Sequence, residues 1–517
     1  MSRQIVTFNF NFGQTSQQNQ LTVANGGGLW KRFFGGRRKL ALDLLPADII
    51  VDEIMSRLNM KDIGALRRVN WNLHLLTKQP AVWKRFLPQL PRMPFPLPAL
   101  PPTAKYDRHG LCALDIERLV TRAITFDNNW LGEKCPQPYY IMPYATYQHL
   151  LSMVLLPGSH YMVASVVDGA GQYAVMVWAM EHPSCDGPVP LVIRYTEFKA
   201  YHLQAKYMTV SGEKGITISF LRKRHKSNTD TRDIPESLQA GGPAEPEDPY
   251  MPLKYDCTTL HITLNSLDIL TDRRYKPGTK EFEHVARAQR DAIKKVSSIR
   301  TGRQLGALTL EEIDGAAYVA VVKRPDTIVL ENLSTNVRTV IQCPHPQAYP
   351  NYDCQIWNLR LLPLQRQIFV IRTVTMTPTM ANDVHLLELY DIPPFGTEKR
   401  VTANESRIIS LEGVTNIQMS DLLPAPEGDE SIWPMLSKGR LPPPITVYFC
   451  RERGVQVYCM WAKLVEIPAS PPATPGIAQN IKKGKMKAVA EPQKWYYYTL
   501  EATRATWCLS SAFSVGA

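Results

Sequence analysis

No CxxC pair occurs in this 517-residue chain, and its nine cysteines are scattered along it. That spacing excludes the common structural zinc patterns and suits reduced thiols better than a disulfide framework. No apolar run reaches the roughly 18 residues that a membrane-spanning helix needs. The first forty residues lack the apolar core of a secretory leader. GxxxxGK[ST], HExxH and GxSxG are all missing, and the eleven histidines form no local cluster with the cysteines. Only a site assembled from residues far apart in sequence is compatible with these absences. The expectation is an intracellular protein, cytoplasmic or nuclear, with no transmembrane segment, metal or cofactor.

Apolar residues make up 44% of the chain, and its length exceeds the usual single domain. The net charge of +12 invites a nucleic-acid reading, but its location argues otherwise. Three clusters without an acid among them carry it: Lys31, Arg32, Arg37, Arg38 and Lys39; Arg222, Lys223, Arg224 and Lys226; Lys482, Lys483, Lys485 and Lys487. Their polar, Gly- or Pro-flanked settings read as solvated tails and loops, with nuclear import or weak nucleic-acid contact as the lesser reading.

Residues 1–40 read as a disordered, Asn/Gln/Gly-rich and basic tail. Residues 41–90 are helical in pattern. The proline-rich stretch 91–105 reads as an extended spacer, with PxxP spacings at Pro91/Pro94 and Pro98/Pro101. Residues 106–143 read as a helical connector.

From 144 to 517 the chain becomes short apolar strands around Gly- or Pro-containing turns. Four hairpins are predicted: Tyr161–Val167 with Tyr173–Trp178, Lys206–Val210 with Ile216–Phe220, Tyr318–Val322 with Thr327–Leu330, and Ile445–Cys450 with Val455–Trp461. Leu155-Leu156-Pro157 and Leu361-Leu362-Pro363 form a weak internal echo, each shortly before a strand. Recurrent hairpins over this length predict a β-propeller, with a large sandwich as the alternative and the blade count open. Insertions near 224–252, 273–300 and 468–494 interrupt it, the second containing an amphipathic helix over Lys280–Val296 that packs on a blade edge.

Gly169-Ala170-Gly171-Gln172-Tyr173-Ala174 matches GxGxxA, but a strand follows where a dinucleotide site needs a helix, so it reads as a hairpin turn. His182 and Cys185 have a ligand-like gap without the second pair that zinc requires.

The helical module carries the strongest signal. Pro46 suits a first helical turn and Asp48 the positive end of its dipole. Ile50, Ile54 and Leu58 recur at helical spacing, with Val51 and Met55 widening the face. A second helix near Lys61-Asp62 carries Ile63, Leu66 and Val69, and Leu73, Leu75, Leu76, Val82, Trp83 and Phe86 add further apolar surface. Some fifty residues bury only part of this, and the remainder marks an interface.

The ordered set Leu45-Pro46-x-Asp48-Ile49, Ile54, Leu58, Asp62-Ile63, Leu66-Arg67-x-Val69-Asn70, Leu76 and Trp83-Lys84 resembles an F-box over about 42–87. The resemblance implies a three-helix module that binds the Skp adaptor, and through it a cullin, of SCF (Skp–cullin–F-box) ubiquitin ligases. It makes Leu45, Pro46, Ile49, Ile54, Leu58, Leu66, Val69 and Trp83 adaptor-binding or module-forming positions. Asn70-Trp71-Asn72 departs from the family, which has a small polar residue and then a basic one there.

The remainder resembles the propeller-like region of fungal F-box proteins through Leu155-Leu156-Pro157-Gly158-x-x-Tyr161, Val177-Trp178 and Tyr318–Leu333. Thr503–Trp507 resembles a motif followed in such proteins by further strands, which leaves an incomplete propeller open. The expectation is a multidomain, non-catalytic substrate receptor: a small all-α F-box, then an all-β, WD-like propeller recruiting a target protein. The alternative is a scaffold in which F-box and propeller act without ubiquitin.

Overall fold

The computed structural model describes residues 5–9, 45–86, 116–117, 120–121, 124–125, 141–145, 148–157, 159–180, 182, 184–185, 187–226, 253–375, 382–420, 445–451, 454–467 and 493–507. The proline-rich stretch, the basic clusters at 31–39 and 482–487, and most of the insertions expected at 224–252 and 468–494 lie outside them.

Ile5–Asn9 (β1), in the stretch expected to be a tail, pairs antiparallel with Ile141–Ala145 (β2). The all-β region then runs as five successive sheets. Blade 1 is β3 (His149–Leu155), β4 (Tyr161–Val167), β5 (Tyr173–Ala179) and β6 (Val189–Thr196). Blade 2 is β7 (Tyr201–Val210), β8 (Glu213–His225), β9 (Leu253–Thr263) and β10 (Lys294–Thr301). Blade 3 is β11 (Leu305–Ile313), β12 (Ala316–Lys323), β13 (Thr327–Asn332) and β14 (Arg338–Gln342).

Blade 4 is β15 (Asp353–Leu362), β16 (Gln367–Thr375) and β17 (Asn382–Asp391). After β18 (Glu398–Arg400), which runs parallel to β14, the blade closes with β19 (Glu405–Glu412). Blade 5 is β20 (Val414–Met419), β21 (Ile445–Arg451), β22 (Gly454–Ile467) and β23 (Gln493–Trp507). The first strands β3, β7, β11, β15 and β20 pack one against the next, which makes the arrangement a five-bladed β-propeller.

The sequence shows why the blades stack. Tyr318–Val322 in β12 is buried at every position. Val319 and Val321 enter the core against blade 2, and Ala320 and Val322 the core against blade 4. A strand covered on both faces needs an unbroken apolar run, whereas a half-buried strand needs alternation. Similar cores join blades 1 and 2 and blades 4 and 5.

All four predicted hairpins form, as β4/β5, β7/β8, β12/β13 and β21/β22. The Leu-Leu-Pro echo falls at equivalent places, the turns from the first to the second strand of blades 1 and 4. At the first β4/β5 turn the Asp168 carboxylate accepts from the N–H groups of Ala170 and Gln172, both at 2.8 Å, and Gly171 adopts φ +78°. The GxGxxA stretch is therefore a hairpin turn. His182 Nε2 lies 3.2 Å from the carbonyl oxygen of Leu270, so its ring ties the β5–β6 connection to a helix.

Two expectations need correction. The Arg222–Lys226 cluster is not a loop: Arg222, Lys223 and Arg224 lie in β8, paired with Asp256, Tyr255 and Lys254 of β9. The helix expected over Lys280–Val296 ends at Ala288, and Val296 belongs to β10 because its strand pairs with β9. Phe282 of that helix is buried in the core of blades 1 and 2, as its apolar face required. A further helix, Leu264–Leu270, precedes it, capped by the Thr263 hydroxyl, which accepts from the N–H of Ser266.

One glycine is fixed by space. A Cβ on Gly215 would lie 2.2 Å from the carbonyl oxygen of Ile262 and 2.5 Å from the His261 ring. Gly215→Ala should therefore destabilise the protein by about 1–3 kcal/mol, read as a lower urea midpoint with the slope unchanged.

Candidate functional site

The helical module spans the described residues 45–86. It opens with a π-helix, Ile49–Ile54, which runs into a short 3-10 turn, Met55–Arg57. Three α-helices follow: α1 (Met60–Leu66), α2 (Trp71–Leu76) and α3 (Pro80–Lys84). Side chains set the boundaries. Asn59 and Asp62 form a reciprocal capping box at the start of α1, the Asn59 side chain accepting from the Asp62 N–H at 3.0 Å. Asn70 caps α2 by accepting from the Leu73 N–H at 2.8 Å, which gives this residue a local structural role. Pro80 occupies the first position of α3, where a missing N–H costs nothing.

Ile50, Val51, Met55, Ile63, Leu73, Val82, Trp83 and Phe86 fill the core. Met55 donates its N–H to the carbonyl of Ile50, five residues back. The wide turn carries the buried face from Ile50 to Met55 and leaves Ile54 half-buried, which a 3.6-residue period does not anticipate. Ile116 and Val120 of the connector belong to the same core. Arg67 is the junction: it pairs with Glu117 at 2.5 Å, donates to the Thr77 hydroxyl at 2.9 Å and lies over the Trp83 ring. The Trp83 indole N–H donates to the Thr77 carbonyl at 2.7 Å.

The structure sorts the eight sequence-derived positions. Trp83 is buried and forms the module. Leu45, Leu58 and Leu66 are half-buried and pack against its core, and Ile54 is half-buried too. Pro46 is exposed, as are Ile49 at 44% and Val69 at 67%. Sequence reasoning missed Trp71, which is 67% exposed and stacks on His74 at 5.1 Å. Leu75, 47% exposed, lies one turn away on the same helix face. The available signal was the i, i+4 spacing of Trp71 and Leu75, on a different helix face from the buried Leu73. Four large apolar side chains of this small module are thus exposed and take no part in its core.

Within the propeller, buried polar side chains are used structurally. Arg372, wholly buried, donates Nε to Glu388 at 3.0 Å and Nη2 to the Tyr390 hydroxyl at 2.8 Å, and Tyr390 donates to the same carboxylate at 2.8 Å. Burial pushes the nearby thiols of Cys343 and Cys354 up, to about 12 and about 11, which makes them poor nucleophiles.

His385 is buried with Nδ1 3.0 Å from the Thr373 hydroxyl, and burial lowers its pKa to about 4. The unfolded chain, with an ordinary value near 6.5, then binds the proton first. Stability is full above about pH 6.5 and is lost as pH falls towards 4, by up to about 3 kcal/mol. Urea midpoints should fall between pH 7 and pH 5, and fall less in His385→Gln.

No protein-family model matches this chain, and no curated protein matches it in sequence. Solved structures resemble it in shape. The WD40 domain of SCAP from fission yeast aligns with a TM-score of 0.33 and 9% identity, over 68% of this chain and 63% of that one. A polysaccharide lyase, PL25 ulvan lyase, aligns with a TM-score of 0.29 and 11% identity, over 63% of this chain and 68% of that one. The chain thus spans less than two thirds of the WD40 domain it aligns with. No helix among the described residues is long and apolar enough to cross a membrane.

Proposed function

We propose that this chain is a substrate-receptor subunit of an SCF-type ubiquitin ligase. Its helical module docks on the Skp adaptor, and its propeller holds a target protein. The observation that carries this is a closed core around Trp83 together with apolar side chains left exposed at Ile49, Val69, Trp71 and Leu75, and an exposed Pro46. The ordered F-box-like positions supply the identity of the partner. A propeller, with two rims of connecting loops, suits a protein-interaction scaffold.

Catalysis in such an assembly is by proximity. The ligase brings a charged conjugating enzyme near a target lysine and raises its effective concentration. No residue of this chain needs to do chemistry.

Affinity capture with the proteasome inhibited tests the proposal. The wild type should bring down the adaptor, a cullin and one or more targets, and the Leu45→Asp/Pro46→Ala variant none of the first two. Capture of the adaptor without a cullin, with no target accumulating on deletion of the chain, would favour the non-ubiquitin scaffold.

A further inference from the structure

We propose that the outer edge of blade 3 is a docking site for an extended segment of a partner polypeptide, held closed by the chain's own strand β18. Among the described residues, blades 1, 2, 4 and 5 have four strands each, and blade 3 has a fifth. The chain leaves blade 4 after Asp391, lays Glu398–Arg400 along β14 in parallel, and returns to blade 4 as β19. Val340, Ile341 and Gln342 of β14 lie opposite Glu398, Lys399 and Arg400. Val340 donates its N–H to the Thr397 carbonyl at 2.9 Å, and Val401 its N–H to the Gln342 carbonyl at 3.0 Å. One segment of the molecule thus already sits on this edge, and the geometry it adopts is the one the edge accepts: an extended chain parallel to β14.

The same segment specifies side chains. Phe395 stacks on Tyr318 of β12 with ring centroids 4.8 Å apart, yet stays 40% exposed. Gly396 adopts φ +82° and donates its N–H to the Thr339 hydroxyl at 2.9 Å. Glu398 accepts from the Gln342 side-chain amide at 2.8 Å. The matching ligand therefore carries an aromatic residue, a glycine directly after it, and an acid three positions after the aromatic.

The strap is built to open. All three residues of β18 are exposed, so lifting it takes none of their side chains from the core. Outermost strands elsewhere are pinned: β10 buries Ile299, and β19 buries Ile409 and Leu411. The anchors of β18 lie outside it, at Phe395 on one side and at the partly buried Val401 and Ala403 on the other. A short paired segment with few buried contacts belongs to the part of a structure that opens locally. Covering β14 guards blade 3 against indiscriminate strand pairing, and only a segment matching the strap displaces it. The meaning of the edge as a target contact rests on the receptor reading above, but the docking itself does not involve the helical module.

The test uses the purified full-length chain and a labelled peptide with the sequence of residues 394–402. Gly396→Pro removes the N–H that Thr339 accepts and cannot adopt a positive φ, so it opens the strap at an exposed position. The tethered strap competes at high effective concentration in the wild type, so the peptide should bind Gly396→Pro at least about tenfold more tightly. Adding Val340→Pro, which deletes the donor on the β14 edge, should reverse that gain, as should replacing the peptide's phenylalanine by alanine. If Gly396→Pro does not fold, Phe395→Ala takes its place. Hydrogen exchange of the wild type gives a second reading: the Val340 amide, covered by β18, should exchange faster than the Val321 amide of the interior strand β12. No gain in peptide binding by the folded strap variant, binding unchanged by Val340→Pro, or equal protection of the two amides would overturn the inference. Because no adaptor is present, failure here leaves adaptor capture untouched, and the reverse also holds.

Discussion

Truncating Trp83 to alanine is expected to cost the helical module about 3–5 kcal/mol. The ring is buried in one core with Val82, Phe86 and the connector residues Ile116 and Val120. It also supplies the donor for the Thr77 carbonyl and the face beneath Arg67. A module of this size has a stability of only about 2–6 kcal/mol, so the substitution should unfold it outright. Limited proteolysis should then cut within 45–86, with the propeller fragment surviving. Ile49→Asp should behave in the opposite way, since that side chain is already in water and its replacement leaves the core intact. A protease-resistant Trp83→Ala module would show that the indole is not the centre of the core.

The second large effect belongs to the propeller. Glu388→Ala removes the carboxylate that serves both Arg372 and Tyr390 and leaves a fully buried guanidinium without its counter-charge. Breaking a buried pair from one side costs about 3–5 kcal/mol. Replacing both members, Arg372→Met with Glu388→Leu, should recover most of the loss, because the desolvation cost disappears with the charges. Denaturant midpoints of the two variants decide the matter. A double variant as unstable as the single one would mean that the pair holds blade 4 in shape and not merely in charge balance.

The hairpins were the most legible part of this chain. Asp168-Gly169-Ala170-Gly171 and Ser211-Gly212 carry turn chemistry that apolar, β-branched flanks cannot be mistaken for. Blade number was not legible. β18 has three residues and crosses to another blade, and Ile445 opens β21 twenty-six residues after β20 ends at Met419. Neither spacing has a period to read. The helix at Leu264–Leu270 was missed because its apolar run continues that of β9. The Thr263 cap was the signal that separates them.

At the module, the identity of the apolar set was readable and its orientation was not. A 3.6-residue period assigns Ile50, Ile54 and Leu58 to one face. The five-residue turn from Ile50 to Met55 rotates that face, and only coordinates show it. The Arg222–Arg224 cluster was misplaced for a different reason. Charge runs usually mark solvated loops, and β8 instead carries its charges on an interior strand, where pairing with β9 overrides composition.

The proposal that the module docks on a Skp adaptor is tested most directly by calorimetric titration of the purified full-length chain with a purified adaptor. Saturable one-to-one binding by the wild type is expected, weakened at least about 100-fold by Ile49→Asp with Val69→Asp, with the helical signal of the chain unchanged. Absence of binding by the folded wild-type chain, or undiminished binding by the double variant, would contradict it.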